Sequence, residues 1–160
     1  MRLVWDHQAH YRAFHAASVA KVVVVSSHLA EEAHGRTIGD TLLIVADSDD
    51  RFCDLELKLD PRFRSAQVPE PDAPSLCEGS LEVEIGDYDK VDWELDEVRG
   101  YLRVALRSVA PTKWLRLGSS GMVLGLNDTG YLAALVFEGV DEDPSGEKES
   151  RFLEEIEKAR

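Results

Sequence analysis

Apolar and polar residues alternate with period two through most of this chain, and that limits the fold more than any other feature. In an extended strand successive side chains point to opposite faces, so such alternation gives one dry face and one wet face. Met1, Leu3 and Trp5 alternate with Arg2, Val4 and Asp6, and Lys21–Ser26 is a β-branched run around four valines. Thr41–Ala46 and Phe52–Leu59 flank the turn-forming cluster Asp47-Ser-Asp-Asp-Arg51, which predicts a hairpin. Leu81, Val83 and Ile85 alternate with Glu82 and Glu84; Val91, Trp93 and Leu95 with Asp92, Glu94 and Asp96; and Leu102, Val104 and Leu106 with Arg103 and Ala105. Gly121–Leu126 and Tyr131–Glu138 flank Asn127-Asp-Thr-Gly130, a second predicted hairpin.

Helix is predicted in two places. Ser27–Gly35 opens on a capping serine and stops at a glycine. After Asp143-Pro144, the residues Phe152, Leu153 and Ile156 form one apolar stripe, and Glu147/Arg151 and Glu154/Lys158 are supporting i,i+4 pairs. Asp60–Gly79 carries four of the six prolines and reads as a linker.

At 160 residues, with 44% hydrophobic and 31% charged residues, one domain can bury a core. Thirty-one acidic residues against 18 basic ones give a net charge of −13. That argues against nucleic acid and against an anionic membrane surface as partners, since both are bound through clustered Lys and Arg. The longest purely aliphatic stretch is Val22–Val25, far short of the about 18 apolar residues of a membrane span. The N-terminus has no long apolar run, so no secretory signal is expected. The two cysteines, Cys53 and Cys77, form no CxxC pair and no disulfide framework, which fits a reducing, cytoplasmic setting. Cys53, among Phe52, Leu55 and Leu57, reads as a small core residue.

The chain also looks internally duplicated. Offset by 90, Asp6 falls on Asp96, Tyr11 on Tyr101, and Ser18–Ala20 on Ser108–Ala110. Offset by 80, the hairpin Thr41–Leu57 falls on Gly121–Phe137. The ten-residue difference lies near 27–36, where the first helix is expected as an insertion. Residues 1–59 then form repeat 1, 60–79 the linker, 80–139 repeat 2 with a preceding acidic hairpin strand, and 140–160 a C-terminal helix. The segments VDWELDEVRGYLRVAL and MVLGLNDTGYLAALVFEG, with MRLVWDHQAHYRAF and LLIVADSDDRFCDLEL in the first half, carry a further likeness. Each repeat resembles a family of short bacterial domains of unknown function, with an opening strand ending near Tyr-Asp, a strand like Ala-Leu-Tyr-Ile-Arg-Leu, and a hairpin around Asp-x-Asp-Gly followed by Leu-Val-Gly-Ile-Glu. The resemblance implies a small β-rich fold and brings no established activity. Repeat 1 departs from the pattern at Arg12, where repeat 2 has Leu102.

Two groups of residues stand out as candidate sites. Glu78–Glu97 holds nine carboxylates and one lysine. If Asp87–Lys90 is a hairpin turn, Glu82, Glu84, Asp92, Glu94 and Asp96 point outward together as a ladder that suits a basic protein or peptide. Asp6, His7, His10, Tyr11 and Arg12, with His15 close behind, are the candidates for a pocket, since histidine titrates near neutrality. For Arg12 there are two ways out of a dry face: the strand sends Tyr11 and Ala13 inward and Arg12 outward, or Arg12 enters a polar cavity and pairs with a carboxylate such as Asp6. His28, Glu31, Glu32 and His34 on the first helix lack a visible full ligand set, and Asp47–Asp50 lacks the glycine and distal glutamate of a calcium loop. Gly118–Gly121 lacks the lysine and helix of a phosphate-binding loop.

The expected fold is mainly β with a minor α part: two antiparallel repeats related by a pseudo-twofold axis form one sandwich or barrel-like domain, with a short inserted helix and a C-terminal helix. The expected function is a non-catalytic cytosolic interaction protein, immunity- or antitoxin-like, that binds a basic protein or peptide through its acidic face. No catalytic residue, metal or cofactor is assigned, and a second copy of the chain is a further candidate partner. The alternative is a small-molecule-binding protein or small enzyme with a pocket at the repeat interface near the N-terminal His/Arg cluster.

Overall fold

The computed structural model describes residues 1–6, 9–27, 32–59, 71, 74–77, 79–86, 88, 90–106, 110–118 and 121–159. Within them the alternating segments are strands. In the first half these are β1 (Arg2–Asp6), β2 (Tyr11–Ala16), β3 (Lys21–Ser26), β4 (Ala33–Ile38), β5 (Leu42–Asp47) and β6 (Phe52–Lys58). β7 (Ser75–Cys77) and β8 (Ser80–Glu84) follow. The second half holds β9 (Val91–Asp96), β10 (Tyr101–Leu106), β11 (Lys113–Leu117), β12 (Met122–Leu126), β13 (Leu132–Glu138) and β14 (Val140–Glu142), and α1 (Glu147–Lys158) closes the described chain.

Two six-stranded sheets carry the orders β14-β2-β3-β6-β5-β4 and β7-β11-β12-β13-β10-β9. β1 and β8 form a separate antiparallel ribbon, and no sheet is closed. One core joins all three: Val22, Val24, Ile44 and Leu55 from the first sheet, Leu102, Val104, Leu124 and Leu135 from the second, and Leu3, Trp5, Val83 and Ile85 from the ribbon. These are the inward positions of the alternation, so the sequence pattern and the buried faces agree. Both predicted hairpins form. Asp47 Oδ1 accepts the N–H groups of Asp49 and Arg51 at 2.9 Å each, and Asn127 Oδ1 accepts those of Thr129 and Tyr131 at 3.1 and 2.8 Å. A short side chain that bonds its own backbone two residues on is the reason Asp and Asn start these turns.

The two halves share one numbering offset. Arg12 faces Val25 as Asp92 faces Ala105, Val24 faces Leu55 as Val104 faces Leu135, and Ile44 faces Leu55 as Leu124 faces Leu135. Each of these pairs moves to its counterpart by adding 80. The bulge between Val45 and Ala46 returns between Gly125 and Leu126, and the isolated bridge Val4–Arg51 returns as Glu84–Tyr131. Of the ladders present in both halves, β4·β5 and β11·β12 differ by one residue, while β14·β2 and β7·β11 have no counterpart among the described residues. This corrects the offset of 90 expected for the front of the chain: that offset matches β2 to β10, yet β10 lies beside β13 whereas β3 separates β2 from β6.

Further expectations change. Ala33–Ile38, overlapping the expected helical insertion at 27–36, is a strand paired along its length with β5; His28–Glu31 lie outside the described residues. The expected acidic hairpin of β8 and β9 is not formed, because β8 pairs with β1 from Arg2↔Glu84 to Asp6↔Ser80. Alternation requires only that Leu81, Val83 and Ile85 meet an apolar surface, and Leu3 and Trp5 supply it. Part of the expected linker is ordered as β7, which lies parallel to β11; residues 60–70, 72, 73 and 78 lie outside the described residues. Trp93, expected in the core, is partly buried against it.

The C-terminal helix carries the predicted stripe but begins at Glu147, not 140: Val140–Glu142 instead form β14, paired in parallel with β2. Phe152, with Leu153 and Ile156 beside it, packs on Phe14, Val23 and Val25, the outer face of β2 and β3. Gly146 at the helix start offers no side-chain cap. Asp143 takes that role from below: its carboxylate accepts the N–H groups of Lys148 and Glu149 at 3.0 Å each. Among the described residues no helix is long and apolar enough to cross a membrane.

Candidate functional site

The five acidic candidates do not form one ladder. Glu82 and Glu84 stand exposed on β8, and Arg2 lies 3.6 Å from Glu82 across the ribbon. Asp92 and Glu94 stand on β9, at the end of the second sheet, with Glu94 opposite Arg103. Asp96 is a turn residue: its Oδ1 accepts the N–H groups of Val98 and Arg99, and its Oδ2 accepts Arg99 Nε at 2.7 Å. The Arg99 guanidinium, then those N–H groups, hold the Asp96 carboxyl below the usual range. β8 and β9 therefore offer two separate acidic strands, one at the ribbon and one at a sheet edge.

The N-terminal candidates are dispersed as well. His7 lies outside the described residues. The Tyr11 hydroxyl donates to Asp6 O at 2.9 Å, ring buried, and burial pushes that hydroxyl well above its ordinary value. Arg12 takes the outward course. Its guanidinium pairs with Asp141 on β14 at 2.9 Å and lies over the rings of Phe14 and Phe152, at 4.9 and 5.3 Å from their centroids. That arrangement joins charge pairing to cation–π contact and removes the Arg12–Asp6 cavity. His15 is buried, with Nδ1 3.0 Å from both carboxylate oxygens of Glu142. His10 borders a concave surface. An open groove of about 300 Å³ is lined by His10, Ser27, Phe152, Glu155, Ile156 and Ala159.

Of the other described candidates, His34 is on strand β4, with Nε2 3.4 Å from Asp50, and Glu32 is exposed before that strand. Cys53 is buried, and burial, then Asp47 and Asp54, push its thiol up to about 11, so it carries little thiolate at neutral pH. Cys77 lies on β7. Among the described residues no group of three or more His, Cys, Asp and Glu is placed to hold a metal ion.

Two features escape sequence reasoning. Trp5 is fully buried and stacked on Phe52 at 4.3 Å, with its indole N–H unpartnered. Asp54, on the outer face of β6, lies between Val25 and Val45 of the flanking strands. Burial, then Glu56 and Glu149, raise its carboxyl to about 6. The alternation in Phe52–Leu59 puts Asp54 and Glu56 on one face, but strand order decides what surrounds them.

No protein-family model matches the chain, and no curated protein matches it either.

Proposed function

We propose that this chain is a non-catalytic interaction protein that takes a basic protein or peptide onto its acidic strands, in the manner of an immunity- or antitoxin-type inhibitor. The observation that carries this reading is the outward display of Glu82, Glu84 and Glu94 on a chain of net charge −13. By contrast, the side chains best suited to chemistry are held in structural contacts: Tyr11 by Asp6, Arg12 by Asp141, His15 by Glu142, and Cys53 by burial. We also infer that residues 1–59 and 81–139 descend from one duplicated unit, arranged about a pseudo-twofold axis with their sheets facing each other. The shared registers support this, as does the ribbon, where Leu3 pairs with Val83, its own counterpart at +80.

A labelled oligolysine peptide tests the first reading. Replacing Glu82, Glu84 and Glu94 by lysine should weaken its binding about tenfold or more and flatten the salt dependence. Replacing Glu154, Glu155 and Glu157 on α1, an equal change of charge, should leave the affinity within about twofold. Equal losses in both triples would overturn a localised acidic site. The groove beside His10 favours a second reading, a small apolar ligand. Binding that survives the β8–β9 reversal but is abolished by Ile156→Glu would select it.

A further inference from the structure

We propose that the seating of α1 on the first sheet is governed by protonation: the helix packs tightly when Asp54 and Glu149 at its seam are neutral and loosens when both are charged. The apolar part of the seam is small. Phe152 is the buried residue of α1, and it meets Phe14, Val23 and Val25 with Leu153 and Ile156 at the margin. Beside that contact the sheet turns acidic. Asp54 on β6 stands in register between Val25 of β3 and Val45 of β5, and Glu56, two residues on, stands between Val23 and Leu43. The helix brings Glu149 to the same patch, where it adds to the negative field on Asp54.

The charged groups facing Asp54 can be named element by element. Its own strand supplies Glu56, α1 supplies Glu149, and β5 sets Val45 opposite Asp54 and Leu43 opposite Glu56, with Asp47 at its end held by Arg51. β3 supplies Lys21, whose Nζ is 3.8 Å from Glu56 and which also acts on Glu149. Lys21 therefore serves two of the three carboxylates, Glu56 and Glu149. Asp143 below the helix start is a fourth: burial opposes its charge, but the N–H groups of Lys148 and Glu149 hold it ionised.

The sign of the effect follows. Burial, then Glu56 and Glu149, place the Asp54 carboxyl at about 6 against an ordinary 3.8. Burial also raises Glu149, with Lys21 opposing it and Asp143 and Glu56 adding to the rise. Lifting α1 would expose Asp54 and remove Glu149 from it, so the seated helix binds that proton more tightly than the lifted one. Seating strengthens as pH falls through about 6 and levels off near the ordinary carboxyl value. Asp143 acts in the opposite sense, and only at lower pH, because its carboxyl is depressed. Loosening at higher pH uncovers Phe14, Val23 and Val25 and releases the stacking of Arg12 on Phe152.

Amide hydrogen exchange on the intact chain tests this independently of the acidic strands β8 and β9. Between about pH 7.5 and about pH 5, protection of Phe152–Lys158, corrected for intrinsic exchange, should rise about tenfold, while β12 and β13 stay constant. In Asp54→Asn, protection at the higher pH should already match the low-pH value and the rise should shrink to about twofold or less; in Glu149→Gln, which leaves Asp54 and its burial in place, the rise should shrink only in part. A pH-independent wild-type helix would overturn the proposal, and so would a full rise retained in both variants.

Discussion

Replacing Phe52 by alanine is expected to destabilise the protein by about 4 kcal/mol, the middle of the range for a buried phenylalanine. The ring is 1% exposed, stacks on Trp5 at 4.3 Å and meets Tyr11 at 5.8 Å. Three aromatic rings thus interlock where the second half, at +80, has Ile85, Val91 and Leu132. The truncation leaves a cavity, removes a favourable ring pair and leaves the unpartnered Trp5 N–H beside empty space. Leu132→Ala at the matching position should destabilise by about 3 kcal/mol, without the aromatic share. Denaturant unfolding at constant slope measures both, and the transition midpoint on heating should fall by about 10 °C for Phe52→Ala. A loss below about 1 kcal/mol would mean that the first half of the core is not packed as described.

The second large effect lies at Gly100. Its φ is +69°, a Cβ there would sit 2.9 Å from Val140 O, and its own carbonyl accepts the N–H groups of Gly139 and Val140. Gly100→Val adds a β-branched side chain in the left-handed region and pushes it into the first residue of β14, so a loss of about 3 kcal/mol is expected. Ala20 stands at the matching place, with φ +50° and its carbonyl accepting Leu59 N–H. There the change runs the other way: Ala20→Gly relieves left-handed strain and should gain up to about 1 kcal/mol, less the extra entropy of the unfolded glycine. Opposite signs at 20 and 100 are the signature of one backbone frame carrying two different residues. Thermal unfolding of both variants reads it directly, and a stabilised Gly100→Val would contradict it.

Local chemistry was legible in the sequence; partner choice was not. Alternation marked the strands, and the side-chain oxygens of Asp47 and Asn127 marked the hairpins. The C-terminal stripe marked the helix. Ser27 and Gly35 resemble a helix start and stop, but Ala33–Ile38 gains a full ladder with β5, and tertiary pairing outweighs the local signal. Matching letters misled the offset: Tyr11 and Tyr101 are identical, yet Tyr11 stands where the second half has Val91. The acidic strands were read correctly as outward-facing at Glu82, Glu84 and Glu94, but β8 crosses to β1 and so parts them. Arg12 illustrates the remaining gap. Its outward course was one of two readings of the alternation, while its partner Asp141 is 129 residues away on a strand that only the folded chain brings alongside.

The antiparallel meeting of β1 and β8 at Leu3 and Val83 holds the two halves in one frame and separates the acidic strands. Nuclear Overhauser contacts in the intact protein test it. The structure predicts methyl contact between Leu3 and Val83 and contact between Trp5 and Leu81, together with the matched pairs Val24–Leu55 and Val104–Leu135. Contacts between β8 and β9 in the pattern of a hairpin turning at 87–90, with none between Leu3 and Val83, would contradict it.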